Sequence, residues 1–185
     1  MDSRRKKKNK ICKSKRFWKN CEKTSCRTEN RKISQIIQKS KKTGLETHDF
    51  WSILSNHEIE NFIGVFASDQ LTKFSIISFP VFLIVNIDAS SLPGSHWIAI
   101  RIDKSTIEIF DSLGFRPSSW VYYPSHLLLF LKSYSFTHKF YISPVLQSPF
   151  SKDCGLYCVF FILFRGKNSF KKCIRQFTTN TLENS

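Results

Sequence analysis

The stretch QSPFSKDCGLYC (147–158) sets two cysteines four residues apart at the head of one of the most apolar runs in the chain. A cysteine reacts as its thiolate, and the free N–H groups and dipole of a helix N-terminus favour that negative charge. Cys154 falls at the expected helix start and Cys158 one turn inside it. Position therefore nominates Cys154 as a nucleophile and leaves Cys158 a small core residue.

A catalytic thiol needs a base, and the base needs an acceptor on its other nitrogen. His96 opens the run HWIAIRID (96–103) and Asp111 closes TIEIFDS (106–112). Both runs alternate apolar and polar residues, and Lys104 and Ser105 between them mark an antiparallel hairpin. Such a hairpin brings residues 96 and 111 close to directly opposite at its open end, where paired Cβ atoms lie roughly 5 Å apart. Taken singly, a histidine beside Trp97 is more often structural and a strand-ending aspartate more often a turn former. The cysteine is what makes the pair a base and its orienting acid. His48, His57, His126 and His138 have no comparable partner and read as surface or packing residues.

Acyl transfer further requires donors aimed at the developing oxyanion. The backbone N–H of Cys154 supplies one, and the side-chain amide of Gln147, seven residues upstream, can supply the second. On its own Gln147 would be an ordinary loop glutamine.

The elements that must position these residues follow from periodicity. Phe50, Trp51, Leu54, Ile59, Phe62 and Ile63 recur at helical spacing, and Ser55 with Glu58 resembles a capping box, which predicts two short helices broken near Ser55 and ended by Gly64. PVFLIVNID (80–88) reads as a buried strand. After the hairpin, Val121 to Phe136 suits an amphipathic helix, residues 140–142 a short strand, and 154–164 a buried helix ended by Gly166. The order helix, three strands, helix, strand, helix predicts a mixed α+β domain.

Composition bounds the rest. A chain of 185 residues with 41% hydrophobic content and 18 Phe is expected to hold one domain with a Phe-rich core. The net charge of +15 is concentrated at one end: residues 1–42 carry 17 Lys or Arg against three acids, a balance of +14. Residues 1–42 therefore read as a basic, largely disordered tail and 43–185 as the folded domain. Arg4, Arg5, Lys6, Lys7, Lys8 and Lys10 head that tail, and its charge exceeds what solubility requires, which points to a phosphate-binding or nuclear-import arm. The longest apolar run, Cys158 to Phe164, is far below the roughly 20 residues of a membrane span, and no signal-peptide core follows the basic start. The expectation is a protein that is neither secreted nor membrane-bound. Cys12, Cys21 and Cys26 lie in the tail with neither a CxxC nor a matching histidine pair, a weak pattern for zinc, and no metal is expected at the site.

GSHWIAI (94–100), IFDSLG (109–114) and QSPFSKDCGLYC, in this order, resemble the adenovirus-type cysteine endopeptidases, relatives of the SUMO- and ubiquitin-like-specific proteases. The resemblance covers about residues 45–170. Within it, NFIGVFASDQL (61–71) ahead of the histidine strand looks like the proteases of Maverick/Polinton elements and adintoviruses. It implies a papain-like, adenain-like fold: a central mixed sheet with the nucleophile at the N-terminus of a buried helix. It also implies His96 as general base, Asp111 as orienting acid, Gln147 as oxyanion donor and Cys154 as nucleophile. The expected activity is hydrolysis of peptide bonds near glycines, maturing viral capsid precursors in the host nucleus and virion, with no required cofactor and DNA as an activator. Adenoviral enzymes carry Glu where Asp111 stands, and the SUMO-protease branch carries Asp. A SUMO- or ubiquitin-like-specific isopeptidase is the nearest alternative. A non-catalytic nucleic-acid-binding protein is the second.

Overall fold

The computed structural model of the chain describes residues 35–40, 42–55, 57, 59, 61–73, 76–115, 122–178 and 180–184. Its elements are helix α1 (Thr47–Leu54), strand β1 (Phe62–Ala67), a 3-10 turn (Ser68–Lys73), strands β2 (Val81–Asn86), β3 (Trp97–Ile102) and β4 (Thr106–Phe110), helix α2 (Ser125–Lys132), strand β5 (Lys139–Ile142) and helices α3 (Cys154–Arg165), α4 (Phe170–Ile174) and α5 (Thr181–Asn184).

The five strands form one mixed sheet in the order β1-β2-β3-β4-β5. β2 is buried along its whole length because it lies between parallel β1 and antiparallel β3 and is covered on both faces. Its two-residue period divides the core. Phe82 and Ile84, with Ala99 and Phe110, point to the side occupied by α1 and α3, where Phe50, Ile53, Tyr157 and Phe161 pack. Val81, Leu83 and Val85, with Ile98, Ile100, Ile107 and Ile109, point to the other side and meet Leu127, Phe130 and Leu131 of α2. Covered by helices on both faces, the sheet gives a mixed α+β fold with α3 as its buried helix.

α3 is apolar around its whole circumference, and Cys154 to Ile162 are all buried. Phe161 stacks on Phe110 with ring centroids 4.7 Å apart. Truncating such a buried ring costs about 3–5 kcal/mol, so α3 is held rigidly against the sheet. A rigid α3 fixes the position of its first residue.

Three expectations from sequence are corrected. Among the described residues no second helix follows Ser55: Phe62 and Ile63 open β1, because pairing with the apolar β2 outweighs a helical spacing of only a few residues. Gly64 sits in that strand at φ 143, where the β1–β2 register shifts, and ends no helix. A capping box forms at the start of α1, where Asp49 accepts from the Glu46 amide at 2.9 Å; of the expected pair Ser55 and Glu58, Glu58 lies outside the described residues. The helix expected over 121–136 is limited to Ser125–Lys132, preceded by Pro124. Part of the expected tail is among the described residues. Residues 35–40 are helical, Ser40 is buried and Ile36 and Ile37 pack against the core, so an apolar pair inside the basic tail is enough to dock its last turns. The rest of the tail, with Arg4, Arg5, Lys6, Lys7, Lys8, Lys10, Cys12, Cys21 and Cys26, lies outside the described residues.

Candidate active site

Cys154 is the first residue of α3. The residue before it, Asp153, does not cap the helix with its side chain, whose carboxylate accepts instead from the Ser151 hydroxyl at 2.8 Å. The first amides of a helix have no intrahelical acceptor, so they face the thiol and whatever oxygen comes to it. Gly155 is required next: a Cβ there would stand 2.8 Å from the Leu45 Cβ.

His96 sits at the entrance to β3, buried, with Nε2 2.8 Å from Asp111 Oδ1. The Cys154 side chain lies close enough to the ring to raise its pKa. An imidazole has two nitrogens, and with Nε2 on the carboxylate, Nδ1 is the one that meets the thiol. The β3–β4 register is offset by two from the expected one: Ala99 opposes Phe110, so the position opposite Asp111 is Ile98 and His96 reaches the carboxylate diagonally. Both residues lie just beyond the paired strands, which leaves their side chains free to meet.

Asp111 is fully buried and its polar atoms are matched one by one. Oδ1 also accepts from the Leu113 amide at 2.9 Å, and Oδ2 accepts from the Tyr123 hydroxyl at 2.8 Å. Its own amide donates to the Ser143 hydroxyl at 2.8 Å, and that hydroxyl donates back to the Asp111 carbonyl at 2.6 Å. Tyr123 and Ser143 went unnoticed in the sequence. The one signal for them was physical: a buried carboxylate needs a donor for each oxygen.

Gln147 is buried in the loop between β5 and α3. Its Oε1 accepts from the Ser112 hydroxyl at 2.6 Å and its Nε2 donates to the Ser151 carbonyl at 2.6 Å. Because that carbonyl can only accept, the amide nitrogen is fixed on the Ser151 side, and its second hydrogen is left to point elsewhere. The structure thus brings His96 and Asp111 into direct contact beside Cys154 and locks the Gln147 amide in the loop leading to Cys154.

Burial is the largest single influence on the His96 imidazole and pushes its pKa down. The hydrogen bonds to Asp111 and Cys154 and the charges of the same two groups outweigh it and raise the value to about 9. At neutral pH the ring therefore holds a proton beside the sulfur. Cys158 is buried, and burial followed by the charges of Cys154 and Asp111 pushes its thiol well up, keeping it protonated.

Several other titratable groups have partners of their own. His48 lies 3.4 Å from Glu46 and 3.2 Å from Asp49, and His138 bonds the Thr137 hydroxyl at 2.7 Å. Arg165, which from sequence joins the basic residues following α3, makes a two-pronged pair with Glu108 at 2.7 and 2.9 Å, whereas Lys167, Lys171, Lys172 and Arg175 are exposed. A cavity of about 570 Å³ lined by Phe82, Arg101, Ile162 and Arg165 lies at the other end of α3 and includes none of the nominated residues. Among the described residues no group of three or more His, Cys, Asp or Glu could hold a metal ion, and no helix is long and apolar enough to cross a membrane.

The sequence profile of the Ulp1 protease family, C-terminal catalytic domain, matches residues 28–176, most of the chain, and that span contains His96, Asp111, Gln147 and Cys154. No curated protein matches. Among solved structures, the crystal structure of the selenomethionine ASFV pS273R protease is similar at 24% identity with a TM-score of 0.35, over 56% of this chain. The chain spans 42% of the length of that protease.

Proposed function

The chain belongs to the Ulp1 protease family of cysteine peptidases, and we propose that it is an endopeptidase in which Cys154 is the nucleophile, His96 the general base and acid, Asp111 the orienting acid and Gln147 an oxyanion donor. The observation that carries this reading is the buried His96 ring held 2.8 Å from the fully buried Asp111, with Cys154 at the start of α3 close enough to raise the ring's pKa.

In the proposed reaction the thiol proton already rests on His96 as a thiolate–imidazolium pair, and Sγ forms a bond to the substrate carbonyl carbon while the carbonyl π electrons move to oxygen. The resulting oxyanion is held by the Cys154 amide and the second hydrogen of Gln147 Nε2. The C–N bond breaks as His96 delivers its proton to the leaving amine, giving a thioester. A water deprotonated by His96 then attacks the thioester, and the acid leaves as the thiol is restored.

Substrates with glycines near the cleaved bond, and capsid precursors of a DNA virus or a Maverick-like element processed in the host nucleus and virion, fit the resemblance of the site motifs to adenovirus-type endopeptidases. DNA binding by the basic tail, with Lys167, Lys171, Lys172 and Arg175, belongs to the same proposal; Arg165 does not, because Glu108 occupies it. No metal or cofactor takes part in the proposed steps. The family match supports a second reading, a SUMO- or ubiquitin-like-specific protease, and Asp111 in place of Glu favours it. Incubating the full chain and its Cys154→Ala variant with a capsid precursor and with a SUMO precursor separates the two. Cys154-dependent cleavage of the capsid precursor alone is the expected result; cleavage of the SUMO precursor alone replaces it with the second reading.

A further inference from the structure

The Leu146 carbonyl, one bond away from Gln147, is held from two directions. It accepts from the Tyr157 hydroxyl at 3.1 Å and from Asn184 Nδ2 at 2.9 Å. On the other side of the same residue the Leu146 amide donates to the Ser112 carbonyl at 2.8 Å, and the Gln147 amide donates to that carbonyl at 2.9 Å. Tyr157 stands three residues after Cys154, on the same turn of α3, so its hydroxyl ties the Leu146–Gln147 peptide to the helix that carries the thiol.

Asn184 completes this tie. The Tyr157 hydroxyl faces a second acceptor, the Asn184 carbonyl, at 3.0 Å, and a hydroxyl has one hydrogen to give. The donor that Leu146 can count on is therefore the Asn184 amide. That side chain is buried at 6% exposure and fixed at both ends, with Nδ2 donating to the Thr178 carbonyl at 2.9 Å and Oδ1 accepting from the Thr178 amide at 3.0 Å. The Tyr157 ring, in turn, stacks on Phe177 at 5.2 Å. Residues from α5 and the segment before it thus meet at the peptide that presents Gln147.

We propose that Asn184, acting with Tyr157, is a positioning residue that sets Gln147 relative to Cys154 by fixing the Leu146 carbonyl. This rests on the reading of Gln147 as an oxyanion donor, and the test separates the two.

Asn184→Asp keeps the size and the Oδ1 acceptor but removes the amide donor. Three quantities are measured on the full chain: kcat/KM for a Gly-Gly peptide, the affinity for a peptide aldehyde whose hemithioacetal oxygen occupies the oxyanion position, and the rate of Cys154 alkylation by chloroacetamide, which develops no oxyanion. Asn184→Asp is expected to lower kcat/KM and aldehyde affinity by the same factor, roughly tenfold and less than the hundredfold or more of losing an oxyanion donor outright. Alkylation is expected to stay unchanged. On a Gln147→Ala background the same substitution is expected to cost nothing further, since the two act through one interaction. Tyr157→Phe, which removes a single hydroxyl, is expected to show the same pattern and serves if Asn184→Asp fails to fold. Additive losses with Gln147→Ala, or alkylation falling in parallel, overturn the positioning role while leaving Gln147 in place. No loss of kcat/KM or aldehyde affinity in Gln147→Ala itself overturns the reading of Gln147, and the positioning role with it.

Discussion

Trp97 donates its indole Nε1–H to the Leu45 carbonyl at 2.8 Å, across 52 residues of sequence. The same Leu45 packs so closely under the start of α3 that a Cβ on Gly155 would lie 2.8 Å from its own Cβ. Leu45 therefore joins the strand entrance that bears His96 to the helix start that bears Cys154. The His-Trp and Cys-Gly pairs are a packing requirement as well as a chemical one.

Gly155→Ala is accordingly expected to lower stability by about 1–3 kcal/mol, since neither the Leu45 Cβ nor the helix backbone can give easily. Cys154 moves with the helix start, so peptide cleavage falls more than the stability loss alone explains. Chemical denaturation and steady-state kinetics on the folded variant check this; wild-type values for both contradict it.

Tyr123→Phe leaves Asp111 Oδ2 buried without its donor. A hydrogen bond to a charged group contributes roughly 1.5–3 kcal/mol, and a loss in that range is expected in the unfolding free energy. kcat/KM is expected to fall about tenfold as the carboxylate loses its orientation. Unfolding and kinetics of this single variant decide the matter, and an unaltered kcat/KM means that the Leu113 amide alone suffices.

With His96 as the proposed general acid, its raised pKa is expected to set the alkaline limit of the reaction. The imidazolium that protonates the leaving amine is lost as pH passes through about 9, so kcat/KM is expected to decline there. Asp111→Asn removes the hydrogen-bonding carboxylate and its charge and is expected to move that limb down by one or more units. Stability has the same sign: His96 binds its proton more tightly folded than unfolded, so its contribution is complete below about 6.5 and is lost as pH rises through about 9. pH profiles of kcat/KM for both chains test this, and coincident alkaline limbs contradict it.

Much of the site was legible in the sequence because its parts are local. A cysteine at the start of an apolar run, a histidine and an aspartate bracketing a hairpin and a glutamine before a helix each carry their own signal, and β3, β4, β5 and α3 formed close to where periodicity put them. What was missed depends on distant contacts. β1 reads as the end of a helix until it is paired with β2, and Ile36 and Ile37 look like isolated residues in a basic tail until the core they touch exists. Tyr123 and Ser143 reach Asp111 from 12 and 32 residues away, and no spacing rule predicts them. Arg165 shows the reverse error: as a basic residue it looked available, but Glu108, 57 residues earlier, holds it.

DNA binding by the basic tail is expected to be electrostatic, with log affinity falling linearly against log salt between about 50 and 200 mM. Deleting residues 1–34 should remove most of that slope. Fluorescence anisotropy with a labelled duplex measures both, and a salt-independent affinity contradicts the account.

The central claim, that His96 activates Cys154, is tested most directly by labelling the full chain with a peptide probe ending in a Gly-Gly electrophile, alongside Cys154→Ala and His96→Ala. The predicted result is modification at Cys154 that disappears in Cys154→Ala and is strongly slowed in His96→Ala, with Cys158 and Cys173 unmodified because burial holds both thiols protonated. Equal labelling of several cysteines, indifferent to His96, would contradict it.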